Sequence, residues 1–355
     1  MRVLIIGLGS IGQRHVRNLR ILLGDQVELM AVRVRGLNHI LTDTLQVEAP
    51  DGLCEKYGIR AFGTLEQALA CKPEAAFICN PNSMHIGTAL ELARAGCHLF
   101  IEKPLAHEYA GVEELIEIVE RKGLVATVGY QLRFHPCLMT THRLLESNAI
   151  GPVLAVQAES GEYMPGWHTY EDYREAYAAH RAYGGGVLLA QIHDMDYLYW
   201  FFGLPRQVFA LGGHLSSLEL DVEDVASTLM QCEKDGSRFP VHLHQDYLQR
   251  PARRTCRIVG DRGKIEADMV GLTVKAYDGS GQIAESHEFR DFQRNKMFLE
   301  ETRRFLASIE SGEPPVVPLR DGFQSVRMAL AARESLETGS VVSLSDSPLI
   351  NSTAP

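Results

Sequence analysis

Residues 7–12 read Gly-Leu-Gly-Ser-Ile-Gly, and they follow directly on the apolar run Val3, Leu4, Ile5, Ile6. A short, continuous apolar run is what a strand buried on both faces of a parallel sheet requires. A helical stretch to about residue 23 comes next. In this strand–turn–helix setting each glycine has a task. Gly7 permits the tight turn, Gly9 lets the backbone approach a diphosphate, and Gly12 lets the helix pack on the strand. The first helical residues, Ser10 and Ile11, offer free N–H groups at the positive end of the helix dipole. A chain that opens this way is held to a βαβ unit with a dinucleotide site, and to a doubly wound parallel sheet if the alternation continues.

It does continue. A second strand over 27–34 ends Ala31-Val32-Arg33-Val34-Arg35. An NAD site usually places an acid near this point to bind the ribose 2′-hydroxyl. Arginine suits a 2′-phosphate instead, so Arg33 and Arg35 favour NADP over NAD. Stacking on an adenine ring, or simple solvation, is the other account of these two residues. Residues 36–57 carry no clear pattern. Thr64 to Gln67 is a capping box opening a short helix. A buried strand over 75–79 leads into Asn80-Pro81-Asn82-Ser83, which caps a helix ending at Gly96. The apolar run 98–101 is a further strand, ending in Glu102-Lys103-Pro104. Two charges there sit where open α/β sheets hold their ligands, at the carboxyl ends of the strands; a solvated turn is the other account of the same three residues. A helix over 108–122 and a strand over 125–129 complete the pattern.

Composition narrows the class. With 45% hydrophobic and 23% charged residues the 355-residue chain is an ordinary globular one, long enough for two domains. A net charge of -10 disfavours nucleic acid or an anionic membrane as partner. Seven cysteines without a C-x-x-C pair argue against a disulfide framework or a structural zinc. The first apolar run is too short for a signal peptide and no run approaches a membrane span, so a cytoplasmic protein is expected.

Several motifs then coincide in order and spacing. Gly7 to Gly12 is followed by His15. Cys79-Asn80-Pro81-Asn82-Ser83-Met84-His85 comes next, then Glu102-Lys103-Pro104, Gly129-Tyr130-Gln131-Leu132-Arg133, and Gly184-Gly185-Gly186 with His193 and Asp196. In these the chain resembles the Gfo/Idh/MocA oxidoreductases, the glucose–fructose oxidoreductase and inositol dehydrogenase family, over residues 1 to about 345. The resemblance implies a Rossmann domain over 1–130 and an α+β substrate-binding domain over 131–345. The latter would carry a large open, mainly antiparallel sheet whose free face forms a homodimer or homotetramer contact. Residues 346–355 would be a tail. The resemblance puts cofactor contacts at Gly7, Gly9, Ser10, Ile11, Gly12, Arg33, Arg35, Cys79, Asn80, Pro81, Asn82, His85, Glu102, Lys103 and Gln131. It implies that Lys103 orients the reacting oxygen and stabilises alkoxide charge, and that His193 is the general base.

One departure stands out. The family usually places an Asp three or four residues before that histidine, where this chain has Ala190 and Leu189. Asp194 and Asp196 are near in sequence, and on a helix Asp196 shares a face with His193. It would orient the imidazole or make a structural hydrogen bond.

The second half reads as strands in succession, at 153–158, 208–211, 225–232, 241–247, 255–260 and 263–267, with helices over 297–309 and 322–337. Residues 161–177 crowd a tryptophan and four tyrosines into one loop. Aromatic faces stack on sugar rings, so Tyr163, Trp167 and Arg174 are expected at the substrate, with Arg133; a packed lid or subunit contact is the other account. His242, His244 and Asp246 share a strand face, which reads as surface rather than a metal site. The function expected is hydride transfer between nicotinamide and a secondary alcohol or ketone of a sugar-type substrate, including acidic or nucleotide-linked sugars. A lyase or glycosidase working by transient oxidation, and a non-catalytic NADP-binding regulator, are the alternatives.

Overall fold

The apolar runs of the first 130 residues pair side by side, all parallel. They form β1 (Arg2–Ile6), β2 (Glu28–Val32), β3 (Ile59–Phe62), β4 (Ala75–Ile78), β5 (His98–Glu102) and β6 (Ala126–Gly129). The structure, a computed structural model, describes residues 1–33, 39–168 and 170–344. The sheet order is β3-β2-β1-β4-β5-β6. Strand order reverses between β1 and β4, the crevice where doubly wound sheets bind ligands. Ile6, Ile78 and Ile101 are level across the three central strands. The residues that follow them therefore emerge together at one edge.

Helices α1 (Ser10–Leu23), α2 (His85–Ala95) and α3 (Val112–Lys122) form the crossovers. Each stops at a glycine, and α2 and α3 do so with Gly96 and Gly123 in the left-handed region that favours glycine. Buried Phe77 and Phe100 stack at 4.7 Å, and Phe305 meets both edge-on. Phe305 lies on α7 (Asn295–Ser311), far along the chain. Burying a ring of that size contributes roughly 2–3 kcal/mol, which fastens this late helix to the early sheet. Arg14 of α1 donates to Asn295 Oδ1 at 2.7 Å, and its guanidinium lies over Phe298 at 4.7 Å.

The chain divides into two compact units, each drawn from three stretches of sequence. The first unit comprises Met1–Phe134, Pro165–Gly185 and Gln293–Phe323; the second holds His135–Met164, Gly186–Phe292 and the chain from Gln324 on. The aromatic-rich segment 165–185 thus belongs to the dinucleotide-binding unit.

The second unit is built on a nine-stranded sheet. Its strands are β7 (Val153–Gly161), β8 (Gln207–Gly213), β9 (Val225–Lys234), β10 (Ser237–Asp246), β11 (Arg253–Gly260), β12 (Gly263–Asp268), β13 (Thr273–Asp278), β14 (Ile283–Glu288) and β15 (Val342–Ser343), in the order β14-β13-β12-β11-β7-β10-β9-β8-β15. Only the central β7–β10 pair is parallel. One face carries buried residues such as Val208, Ala226, Val241 and Ile258. Helices α4 (Pro136–Glu146), α5 (Val187–Ala190) and α6 (His193–Phe202) also belong to this unit. The other face leaves Leu211, Leu229 and Val259 exposed. Among the described residues no helix is long and apolar enough to cross a membrane.

Candidate active site

The glycine turn leaves no space for side chains where it folds on itself. Gly7 has φ +92°, and a Cβ on it would lie 2.9 Å from the Cys79 carbonyl oxygen. A Cβ on Gly12 would lie 2.0 Å from the Gly7 oxygen. Gly9 differs, because a Cβ there meets nothing within 4 Å. Its open side faces where a ligand's diphosphate would approach backbone. Gly9 is also the N-cap of α1 and makes no side-chain cap, which leaves early N–H groups of the helix for an anion. These residues fit a dinucleotide.

Two strands along, the Glu102 carboxylate is pinned. It is buried, and its Oε1 accepts from His15 Nε2–H at 2.8 Å. His15 is fully enclosed, between Phe77 and Phe100 at 5.0 and 4.8 Å. Lys103 follows on a cis peptide bond to Pro104. The loop beside it is tied by His85, whose Nδ1 lies 2.7 Å from the Pro104 oxygen and Nε2 2.9 Å from the Asn80 oxygen. A neutral imidazole donates to only one of them. Burial pushes the His85 pKa down against the pull of both carbonyls. Asn80 donates to Thr88 Oγ1 at 3.0 Å, and Asn82 to the Gly184 oxygen at 2.9 Å. Burial raises the Cys79 thiol well above its usual range, so it stays protonated.

Of the other residues expected at the cofactor, Arg33 donates to Cys54 Sγ at 3.4 Å, and Arg35 lies outside the described residues. Gln131 is buried in the 3₁₀ turn Gln131–Phe134. Arg133, in the same turn, pairs with Asp321 at 2.6 Å and is buried. Arg174 is engaged as well: its guanidinium grips both oxygens of Asp172 and holds that carboxyl down at about 2. Trp167 is partly buried in the same segment of the first unit.

In the second unit His193 opens α6 and is nearly buried. Leu189 and Ala190 are buried apolar residues in the preceding turn. Asp194 is fully buried and faces Arg254 at 3.3 Å; burial raises its pKa, and Arg254 opposes the rise. Asp196, also fully buried, accepts from Ser325 Oγ at 3.2 Å. Tyr163 lies under the Arg250 guanidinium, 3.8 Å from its ring centroid. On β10, His244 Nε2–H donates to Asp246 Oδ2 at 3.1 Å, and Ser227 bridges to His242 at 3.0 Å. Among the described residues no cluster of His, Cys, Asp and Glu has the geometry to hold a metal.

Residues 1–130 match the family model of the Gfo/Idh/MocA oxidoreductases with an NAD-binding Rossmann fold, and residues 138–266 match that family's C-terminal domain. The chain belongs to the Gfo/Idh/MocA oxidoreductase family. As a member of that family it is an NAD(P)-dependent dehydrogenase. It is 27% identical to the myo-inositol 2-dehydrogenase of Thermotoga maritima over 361 residues, which covers 98% of this chain and 99% of that one. The structure of a probable dehydrogenase from the same organism superposes with a TM-score of 0.73 at 25% identity, over 97% of this chain and 99% of the other. The WlbA dehydrogenase of Bordetella pertussis, solved with NADH and UDP-GlcNAcA, shares the fold with a TM-score of 0.77 at 20% identity, over 97% and 98%.

Two features of this oxidoreductase escaped the sequence reading. His15 was visible as a motif residue, three positions after Gly12, but its bond to Glu102 spans 87 residues. Tyr170 was visible only as one more aromatic in its loop. In the fold its ring stacks on His168 at 5.3 Å and lies 5.7 Å from that of His39.

Proposed function

We propose that this oxidoreductase moves a hydride between nicotinamide and a secondary alcohol or ketone of a sugar or polyol, with NADP(H) preferred. The observation that carries the reading is the common edge of β1, β4 and β5, where the glycine turn, Cys79 and Lys103 emerge from adjacent strands. Strands lie about 4.8 Å apart, so β1 and β5 are separated by roughly 10 Å, a span that a dinucleotide bridges. The glycine turn would hold the diphosphate, and Arg33 and Arg35 the 2′-phosphate.

Nicotinamide supplies the acceptor for a hydrogen that leaves carbon with its electron pair. The protein's part is charge and proton. Lys103 would donate to the reacting oxygen and stabilise it as it becomes alkoxide-like. His193 would take the hydroxyl proton in oxidation and return it in reduction. The names of the inositol and nucleotide-sugar dehydrogenases among the relatives support a polyol or sugar substrate. Tyr163, Trp167, Arg133 and Arg174 are the proposed specificity residues, and Asp194 and Asp196 the proposed support for His193. The exposed apolar residues Leu211, Leu229 and Val259 support a second copy on the free sheet face; sedimentation of the chain as a monomer would contradict that assembly. The test of the catalytic assignment is His193→Ala. It is expected to bind cofactor normally and to lose turnover, and unchanged turnover removes His193 from the chemistry.

A further inference from the structure

One buried side chain ties the glycine turn to the stretch that follows β2. Gln13 lies early in α1 and is 1% exposed. Its Nε2 donates to the Leu8 oxygen, inside the turn, at 3.2 Å and to the His39 oxygen at 3.0 Å. Its Oε1 accepts from the Leu41 N–H at 2.8 Å. Both amide hydrogens are thereby spent on backbone outside α1. Two arginines of the same helix continue the attachment. Arg17 Nη1 donates to the Leu41 oxygen and Arg14 Nη2 to the Asp43 oxygen, each at 2.8 Å, and Arg17 Nη2 meets Asp43 Oδ1 at 2.7 Å. Ile40 and Leu41 are buried, and they pair with Val47–Ala49 in a two-stranded hairpin apart from the main sheet.

We propose that Gln13 is a positioning residue for the cofactor: it holds residues 39–41 at a fixed distance from the glycine turn, and so governs the choice between a 2′-phosphate and a 2′-hydroxyl. The inference rests on the dinucleotide reading of this turn. The turn is where a diphosphate would sit, and the chain at the end of β2 is where a dinucleotide's ribose 2′ group is read. Gln13 touches backbone on both sides of that span. The Leu8 carbonyl shares its peptide plane with the Gly9 N–H, so a bond that fixes one orients the other. An apolar side chain would fill the same space, so packing alone does not call for an amide. The competing account is that Gln13 only satisfies backbone groups of 39–41 that the main sheet leaves unpaired. The two accounts part over ligand binding, because the competing one ties Gln13 to no particular part of the cofactor.

The test is calorimetric titration of the full chain with NADPH, NADH and nicotinamide mononucleotide, using wild type, Gln13→Met and Gln13→Asn. Methionine keeps the length and loses all three bonds. Asparagine keeps the amide but is one methylene too short to reach the turn and His39 together. Each variant is expected to weaken the dinucleotide that wild type prefers by about tenfold and the other by about twofold, so that the ratio of the two affinities moves about fivefold toward one. The mononucleotide, which carries no adenosine ribose, should stay within about twofold of wild type. A role confined to the fold would lower the thermal midpoint and leave the ratio where it is. A ratio within about twofold of wild type in a folded variant overturns the inference alone, as does failure of both variants to fold. If wild type binds neither dinucleotide, or both equally, the underlying reading fails and takes this inference with it.

Discussion

His15 donates its Nε2–H to Glu102 at 2.8 Å inside a box of aromatic rings, and so joins the helix after the glycine turn to the residue that precedes Lys103. The bond fixes the Glu102 carboxylate and so the backbone that presents Lys103. Glu102→Gln keeps an acceptor for His15 and should unfold within about 1 kcal/mol of wild type. Glu102→Ala strands a buried donor and should lose about 1–3 kcal/mol. Chemical denaturation of the two variants checks the difference, and equal losses would show that the acceptor at this point is immaterial.

The three glycines of the turn are predicted to separate by experiment. Gly12→Ala drives a Cβ into the Gly7 carbonyl and should cost about 2–3 kcal/mol of stability. Gly9→Ala meets open space at an ordinary φ of −70° and should leave the thermal midpoint unchanged. It should nonetheless weaken dinucleotide binding, because the added methyl occupies the approach to the backbone. A Gly9→Ala protein that binds cofactor like wild type would remove the open side of Gly9 from the site.

Acid should loosen the second unit through His135. Its Nδ1 accepts from Cys137 N–H at the start of α4. Burial, with Arg254 second, depresses its pKa to about 4. The folded state keeps the ring neutral while the unfolded chain takes a proton near its usual value of about 6.5. Stability from this group is therefore complete above about pH 6.5 and falls as pH drops toward 4, by on the order of 3 kcal/mol. His135→Asn retains an acceptor cap and removes the titration. Its urea midpoint should fall less than that of wild type between about pH 7 and pH 4.5; equal falls would exclude His135 as the source.

Cofactor choice has a direct readout. NADPH should bind the wild type more tightly than NADH, and Arg33→Asp should narrow or reverse the gap. Equal affinities of wild type for the two would contradict a 2′-phosphate site at the end of β2.

What could be read from sequence followed from local physics. Parallel strands are buried on both faces, so β1, β4 and β5 appear as plain apolar runs. The glycine turn is legible because a Cβ is sterically barred there. The outer strands β13 and β14 were not legible. Ile283–Glu288 reads Ile-Ala-Glu-Ser-His-Glu with no residue fully buried, so an edge strand looks like a loop. Strand β3 was hidden similarly, with Arg60 and Ala61 exposed. The return of 165–185 and of Phe305 to the first unit rests on contacts between residues more than a hundred positions apart, which no periodicity encodes. At the site, motif residues could be named, but their engagements could not. Arg174 is gripped by its neighbour Asp172, and Asp194 pairs with Arg254 across sixty positions.

Isotope transfer decides whether this chain performs net oxidation of a CH–OH group. The wild type is incubated with oxidised NADP or NAD and a panel of polyols and sugars deuterated at their secondary carbinol carbons, and the recovered cofactor is weighed by mass spectrometry. The account predicts that at least one polyol or sugar delivers its deuterium to the nicotinamide ring in step with ketone formation, and that Lys103→Ala suppresses the transfer. Tight cofactor binding with no deuterium in the ring from any member of the panel, or deuterium that returns to an eliminated product with no net reduction of cofactor, would contradict it.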